Sequence, residues 1–167
     1  MTAPGHPACR DVDPEIFFPD HTLRDHNERV TSAKSICLAC PISAACLGRA
    51  VVGREKDGIW GGYTPLERRA LLRDAHRLGH EVGYAVRRLE LGHQYRVRPT
   101  DLLAVVHGLT SRGWSVEKLS AALDLPLQAV LKVRQRVQAA TACLVAVSEA
   151  ESICDGVPSG GVAEILE

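Results

Sequence analysis

Three cysteines fall within ten residues at Cys37, Cys40 and Cys46, spaced C-x2-C-x5-C, and a fourth, Cys9, stands upstream with twenty-seven residues between. No other feature constrains the fold as strongly. Four thiols gathered in this way either hold a metal centre or pair as disulfides. The intervening segments must then fold so as to bring them together. Residues 1–10 lack the apolar core of a signal peptide, and no run approaches the roughly 18 apolar residues of a membrane helix. The expectation is a cytoplasmic protein with no membrane partner, whose clustered thiols stay reduced and act as metal ligands or redox groups. Two Phe, two Trp and three Tyr are few large side chains for 167 residues, so a staple would help so small a core.

Four soft thiolates suit zinc or an iron–sulfur cluster. Structural zinc usually draws on two short knuckles, whereas this chain has one C-x2-C, a further x5 step and one distant cysteine. No histidine stands at ligand spacing, although His6, His21 and His26 are near in sequence. The asymmetric pattern fits a cluster better. A third reading takes Cys37 and Cys40 as a dithiol redox pair, but no βαβ context surrounds them. Cys143 and Cys154 fall outside the motif, one expected as a buried thiol and the other as an exposed tail thiol.

Along the chain, residues 1–21 carry Asp13-Pro14-Glu15 and Phe17-Phe18-Pro19 in a non-periodic, proline-interrupted stretch expected to be irregular. The adjacent phenylalanines pack locally or face a partner. A helix is expected from Thr22 to Ile36, with Leu23, Val30 and Ala33 at roughly helical spacing, bringing Cys37 back toward Cys9. Pro41 suits the first turn of a second helix that carries Cys46 and runs to about Gly53. Gly58-Ile59-Trp60-Gly61-Gly62 is a glycine turn presenting one tryptophan, which either caps a small core or meets a partner. Thr64-Pro65-Leu66-Glu67 reads as a capping box opening a helix to about Gly79. Arg68, Arg69, Arg73 and Arg77 decorate it as a solvated face or as phosphate contacts.

These residues together resemble the WhiB-like family, iron–sulfur transcription factors of actinobacteria and their phages. The matching positions are Cys9-Arg10, Asp13-Pro14-Glu15, Phe17-Phe18-Pro19, Ala33-Lys34, Cys37-x2-Cys40-Pro41-x4-Cys46, Gly58 to Gly62 and Glu67-Arg68-Arg69. The resemblance implies that Cys9, Cys37, Cys40 and Cys46 ligate a [4Fe–4S] cluster. It also implies docking on the C-terminal domain of the primary sigma factor of RNA polymerase. Trp60, Phe17 and Phe18 would pack at that interface, with Gly58, Gly61 and Gly62 shaping the turn. Reactivity of the cluster with oxygen or nitric oxide, and hence redox sensing, is a natural extension.

The resemblance stops near Arg69, where family contacts to DNA can no longer be carried over beyond Arg68 and Arg69. The remainder of the chain is charged differently. Residues 66–140 hold 13 Lys/Arg against 7 Asp/Glu, a net +6, while residues 141–167 hold none against 5. A basic segment of this kind is the footprint of nucleic-acid contact. Residues 80–98, broken by Gly83 and Gly92, read as a helix followed by a linker that ends at Pro99, and lead into three further helices, opened by Thr100-Asp101, Ser115 and Pro126. The last runs to about Ala140, with Ala142 to Val147 as its extension. The final pair resembles a helix-turn-helix: Leu119, Leu123, Leu127, Val130, Val133 and Val137 form its expected core. Asp124 takes the tight-turn position, since Asp tolerates left-handed geometry. Gln128, Ala129, Lys132, Gln135 and Arg136 form the exposed, DNA-reading face of its second helix. A packing or dimerisation bundle is the bland alternative.

The expectation is therefore an all-α protein with a cluster domain over 1–79, a basic helix and linker over 80–99, a helix-turn-helix unit over 100–147 and a flexible acidic tail over 148–167. Its function would be regulation of transcription through sigma and promoter DNA. No Ser-His-Asp, paired-carboxylate or phosphate-loop arrangement supports an enzyme. The competing readings are a zinc-stapled DNA-binding or adaptor protein and a thiol–disulfide reductase acting through Cys37 and Cys40.

Overall fold

A computed structural model describes residues 5–20, 22 and 24–154, with side chains through residue 152. The expectations placed on His21, Leu23, the Cys154 thiol and the tail over 155–167 lie outside the described residues. The fold is all-α: a 3-10 turn over Pro14–Phe17, then α1 (His26–Leu38), α2 (Ser43–Val52), α3 (Pro65–Leu78), α4 (Gly83–Glu90), α5 (Leu102–Thr110), α6 (Val116–Leu123) and α7 (Leu127–Cys154). Among the described residues the only β pairing is an isolated bridge between Trp60 and Tyr63. No single helix there is long and apolar enough to cross a membrane.

The chain forms two compact units, Met1–Ala70 with Ala142–Glu167, and Leu71–Thr141. These boundaries differ from those read from sequence at Gly79 and Val147. Both differences arise inside continuous helices, where no glycine or proline marks the change. The second half of α3 packs in the second unit, because Asp74 is held by Arg136 of α7. The last part of α7 joins the first unit, and residues 148–154 are helical rather than tail. No Gly or Pro interrupts α7 between Pro126 and Gly156, and alanine-rich helical sequence extends readily.

In the first unit, Asp13 caps the 3-10 turn by accepting from the Glu15 N–H at 3.0 Å. That turn lays Ile16 and Phe17 on α1, where Ala33, Cys37 and Ile59 are buried with them. The α3 start is the expected capping box: Thr64 N–H donates to Glu67 Oε2 at 2.9 Å, and Glu67 N–H to Thr64 Oγ1 at 3.3 Å. Lys34 of α1 reaches the other Glu67 oxygen, joining α1 to this cap. On α2, Leu47, Gly48, Ala50 and Val51 are buried. Gly48 allows the end of α7 to approach to backbone distance, since a Cβ there would lie 2.2 Å from the Ala146 carbonyl oxygen.

In the second unit, α4 packs on α5, and both build one core with α6 and the first part of α7. Leu103, Leu109, Leu119, Val105, Val106 and Val130 are fully buried. Ser115 caps α6 by accepting from Lys118 N–H at 3.2 Å. Asp124 ends it in the left-handed region, at φ 53° and ψ 48°, as the turn requires. Ser120 closes that turn by donating its hydroxyl to the Leu125 carbonyl. Leu127 is 46% exposed and not part of the core, a correction to its expected place.

Asp101, 8% exposed, anchors the start of α5. His80 Nδ1 lies 3.0 Å from its carboxylate, Arg98 Nε donates at 2.6 Å and Thr100 Oγ1 at 3.1 Å. These partners, His80 first, hold the carboxyl below its ordinary value of 3.8. A carboxylate lowered in the fold contributes stability above its unfolded-state pKa and loses it as pH falls through the folded-state value. Asp101→Asn should therefore flatten the loss of stability on acidification below about pH 4, read by urea unfolding at several pH values. Parallel pH profiles for the two proteins would remove Asp101 as a source of acid sensitivity.

Candidate functional site

The four cysteines reach one place by four different local routes. Cys37 sits in the last turn of α1, and the chain then turns tightly, with Cys40 N–H donating to the Cys37 carbonyl at 3.1 Å. A second turn, Ser43 N–H to the Cys40 carbonyl at 3.2 Å, leads into α2, whose first turn carries Cys46. Cys9 comes from the N-terminal loop, which lies on the Cys40–Pro41 corner. Ala8 N–H faces Cys40 Sγ at 3.5 Å, and a Cβ on Gly5 would meet the Pro41 ring at 2.7 Å. Cys9, Cys37, Cys40 and Cys46 all line a single cavity of about 280 Å³, bordered by Phe17, Phe18, Ile59 and Trp60. All four thiols are free.

The glycine turn serves two of these sulfurs directly. Trp60 and Tyr63 exchange backbone hydrogen bonds at 3.1 and 3.0 Å around Gly61 (φ 55°) and Gly62 (φ 84°), the positive-φ pair that a tight two-residue turn demands. Space forbids a side chain at Gly61 as well, because a Cβ there would lie 2.4 Å from the Ser43 carbonyl. Burial pushes the Cys37 and Cys46 thiols up, while backbone N–H groups of Gly62 and Gly61 respectively draw them back. Neighbouring cysteines raise both further: Cys46, Cys40 and Cys9 act on Cys37, and Cys9 and Cys40 on Cys46. Among the described residues, no three Cys, His, Asp or Glu side chains converge on a point that one ion would occupy.

Arg68 holds this turn from behind. It is 4% exposed, and its guanidinium donates to four carbonyls: Gly58 (2.7 Å), Tyr63 (3.0 Å), Glu55 (2.9 Å) and Asp57 (3.1 Å). The expectation that Arg68 contacts DNA is corrected, since the side chain is buried and both terminal nitrogens are committed to carbonyls. Arg69, by contrast, is exposed. A signal for this role was available: Arg68, Leu71 and Ala75 recur at helical spacing, and all three are buried.

The aromatic residues divide. Phe17 packs into the core with Ala33 and Ile59, and its carbonyl accepts from Ile59 N–H at 2.7 Å. Phe18 is 54% exposed and lies over Gly58, where any Cβ would strike its ring at 2.7 Å. Trp60 is half-buried, its indole N–H donating to the Asp57 carbonyl at 3.0 Å. Phe18 and Trp60 thus present apolar surface at the mouth of the cysteine cavity, while Phe17 supports them.

On α7, Gln128, Lys132 and Gln135 are exposed and Ala129 is half-buried. Arg136 is exposed as well, as expected of that face, and is also paired. Its Nε and Nη2 donate to the two carboxylate oxygens of Asp74 at 2.8 and 2.6 Å, a bidentate pair that ties α3 to α7 within the second unit.

Comparison with known proteins falls on the cysteine-bearing unit. The family model described as Transcription factor WhiB matches residues 4–71. Transcriptional regulator WhiB1 of Bifidobacterium longum is 43% identical over 70 residues, 42% of this chain and 76% of that protein. Transcriptional regulator WhiB1 of Mycobacterium tuberculosis is 42% identical over 75 residues, 45% of this chain and 89% of that protein. Transcriptional regulator WhiD of Streptomyces coelicolor is 42% identical over 67 residues, covering 39% and 60%. No solved structure matches. With its cysteine-bearing unit matched along most of the length of such relatives, this chain belongs to the WhiB family of transcription regulators.

Proposed function

We propose that this regulator binds a [4Fe–4S] cluster through Cys9, Cys37, Cys40 and Cys46, docks on the C-terminal domain of the primary sigma factor, and contacts promoter DNA through α6 and α7. The observation that carries the reading is the single cavity lined by all four cysteines, with the Ala8 N–H 3.5 Å from the Cys40 sulfur. Hydrogen bonds to sulfur, burial and cluster charge set the redox potential of such a centre. A reductase is disfavoured by position. Cys37 lies at the C-terminal, negative end of α1, whereas activated thiolates favour helix N-termini.

For sigma docking, the exposed Phe18 and the half-buried Trp60 offer an apolar rim beside the cluster. For DNA, the second unit supplies a left-handed turn between α6 and α7 and an exposed polar face on α7. Holding polymerase by one unit raises the effective concentration of promoter DNA at the other. Such a regulator would act in the cytoplasm.

The test begins with anaerobic purification, then visible absorption and metal and sulfide counts. Broad visible absorbance with about four irons and four sulfides per chain is expected. A colourless protein with one zinc would overturn the cluster. The same preparation should retain the sigma C-terminal domain on a column, and Trp60→Ala should abolish retention while keeping the iron count. Equal retention by the variant would remove Trp60 from the interface.

A further inference from the structure

The burial pattern of α7 separates two faces. Val130, Val133 and Val137 are buried, and opposite them Gln128, Leu131, Lys132 and Gln135 form one exposed stripe. Leu131 is 39% exposed, and Leu127, one turn before it, 46%. The chemistry of this stripe is unusual for either of its ordinary uses. A face that packs against another helix is apolar at its centre, but this one holds two carboxamides and an ammonium. A face built for phosphates carries several cations, but this stripe carries Lys132 alone, and Arg136 at its edge, though 47% exposed, is already paired through Nε and Nη2 with Asp74.

A glutamine side chain offers one donor and one acceptor side by side, the match for adenine N6–H and N7 in the major groove. An exposed aliphatic side chain beside it matches the thymine 5-methyl, the only apolar group that groove presents. Gln128 and Gln135 are seven residues apart, about 10 Å along the helix, close to three base-pair steps of about 3.4 Å each.

Resting on the reading that α7 contacts DNA, we propose that this stripe reads A·T base pairs. Gln128 and Gln135 each take an adenine edge, Leu131 packs on a thymine methyl, and Lys132 takes a phosphate. The second unit thereby supplies sequence preference, with modest charge of its own. All four side chains are exposed, so their substitution leaves the core of the unit intact.

The experiment uses the full chain with its cysteines intact and a pool of random DNA duplexes, from which bound sequences are selected at low salt. Enrichment of a short site with A·T pairs at two or more positions is expected. Gln128→Ala and Gln135→Ala should each relax preference at one position by about 10-fold, and Lys132→Ala should weaken all duplexes alike. The enriched duplex is then remade with deoxyuridine for thymine, which deletes only the methyl group. Wild type should bind it several-fold more weakly, and Leu131→Ala should bind both forms equally. A preference confined to G·C pairs, or an A·T preference unchanged in all three variants, would overturn the base-reading proposal while leaving DNA contact in place. Retention of no duplex above a column control would overturn the DNA contact itself, and this proposal with it.

Discussion

Arg68→Ala is expected to destabilise the cysteine-bearing unit by about 3–5 kcal/mol, because it removes four charge-assisted hydrogen bonds of one buried guanidinium at once. The guanidinium, 4% exposed, is the common donor to the carbonyls of Glu55, Asp57, Gly58 and Tyr63. Truncation removes four charge-assisted hydrogen bonds and leaves the buried Gly58 carbonyl without its donor, while the Tyr63 and Asp57 carbonyls keep the backbone and indole N–H of Trp60. Those carbonyls bracket the turn whose Gly61 and Gly62 N–H groups face Cys46 and Cys37. Loss of Arg68 should therefore also loosen the sulfur cavity. Arg68→Lys should recover little, since a point charge on a flexible stem cannot serve four acceptors arranged around a planar fork. Urea unfolding of the three proteins checks this. A change within about 0.5 kcal/mol for Arg68→Ala, the range of ordinary surface substitutions, would show that the fork is not needed.

Gly48→Ala carries the second large effect, and its sign is diagnostic. At an unconstrained position inside a helix, replacing glycine by alanine stabilises by roughly 1 kcal/mol. Here the added Cβ would fall 2.2 Å from the Ala146 carbonyl oxygen and 2.7 Å from its carbon. Backbone cannot rotate away as a side chain can, so α2 and the last part of α7 must part. Overpacking of this kind costs about 1–3 kcal/mol, outweighing the propensity gain. Faster amide exchange over residues 142–152, with exchange in α5 unchanged, is the expected readout. A stabilised variant with unaltered exchange would mean that α7 does not pack on α2 in solution.

Much of the cysteine-bearing unit was legible because its signals are local. The Thr64 and Glu67 capping box, the paired glycines at positive φ and the Asp13 cap each involve residues within three positions of one another. Asp124 was readable for the same reason, as a residue type that accepts the left-handed turn between α6 and α7. The partition of the two phenylalanines was not. Adjacent identical residues carry no periodicity, and only the packing of the 3-10 turn on α1 buries Phe17 and leaves Phe18 out.

Arginine roles were the least legible part of the candidate sites. Arg68, Arg69 and Arg136 read alike in sequence as cations on helices. Their fates depend on partners 5 to 13 residues away for Arg68 and 62 residues away for Arg136. The division at residues 70 and 141 was no more legible, because composition marks breaks at glycine and proline, while α3 and α7 run through those positions without either.

Local sequence was enough for the all-α class, the starts of α3, α5, α6 and α7, the glycine and Asp124 turns, the four-cysteine spacing and the family. Each of those rests on short-range geometry or on a spacing that chain connectivity preserves. Tertiary structure alone decided that Arg68 organises the glycine turn, that Arg136 belongs to Asp74, and that α7 ends against Gly48. A guanidinium is satisfied by whichever acceptors folding brings within about 3 Å, and a glycine admits a neighbouring backbone that no local pattern names.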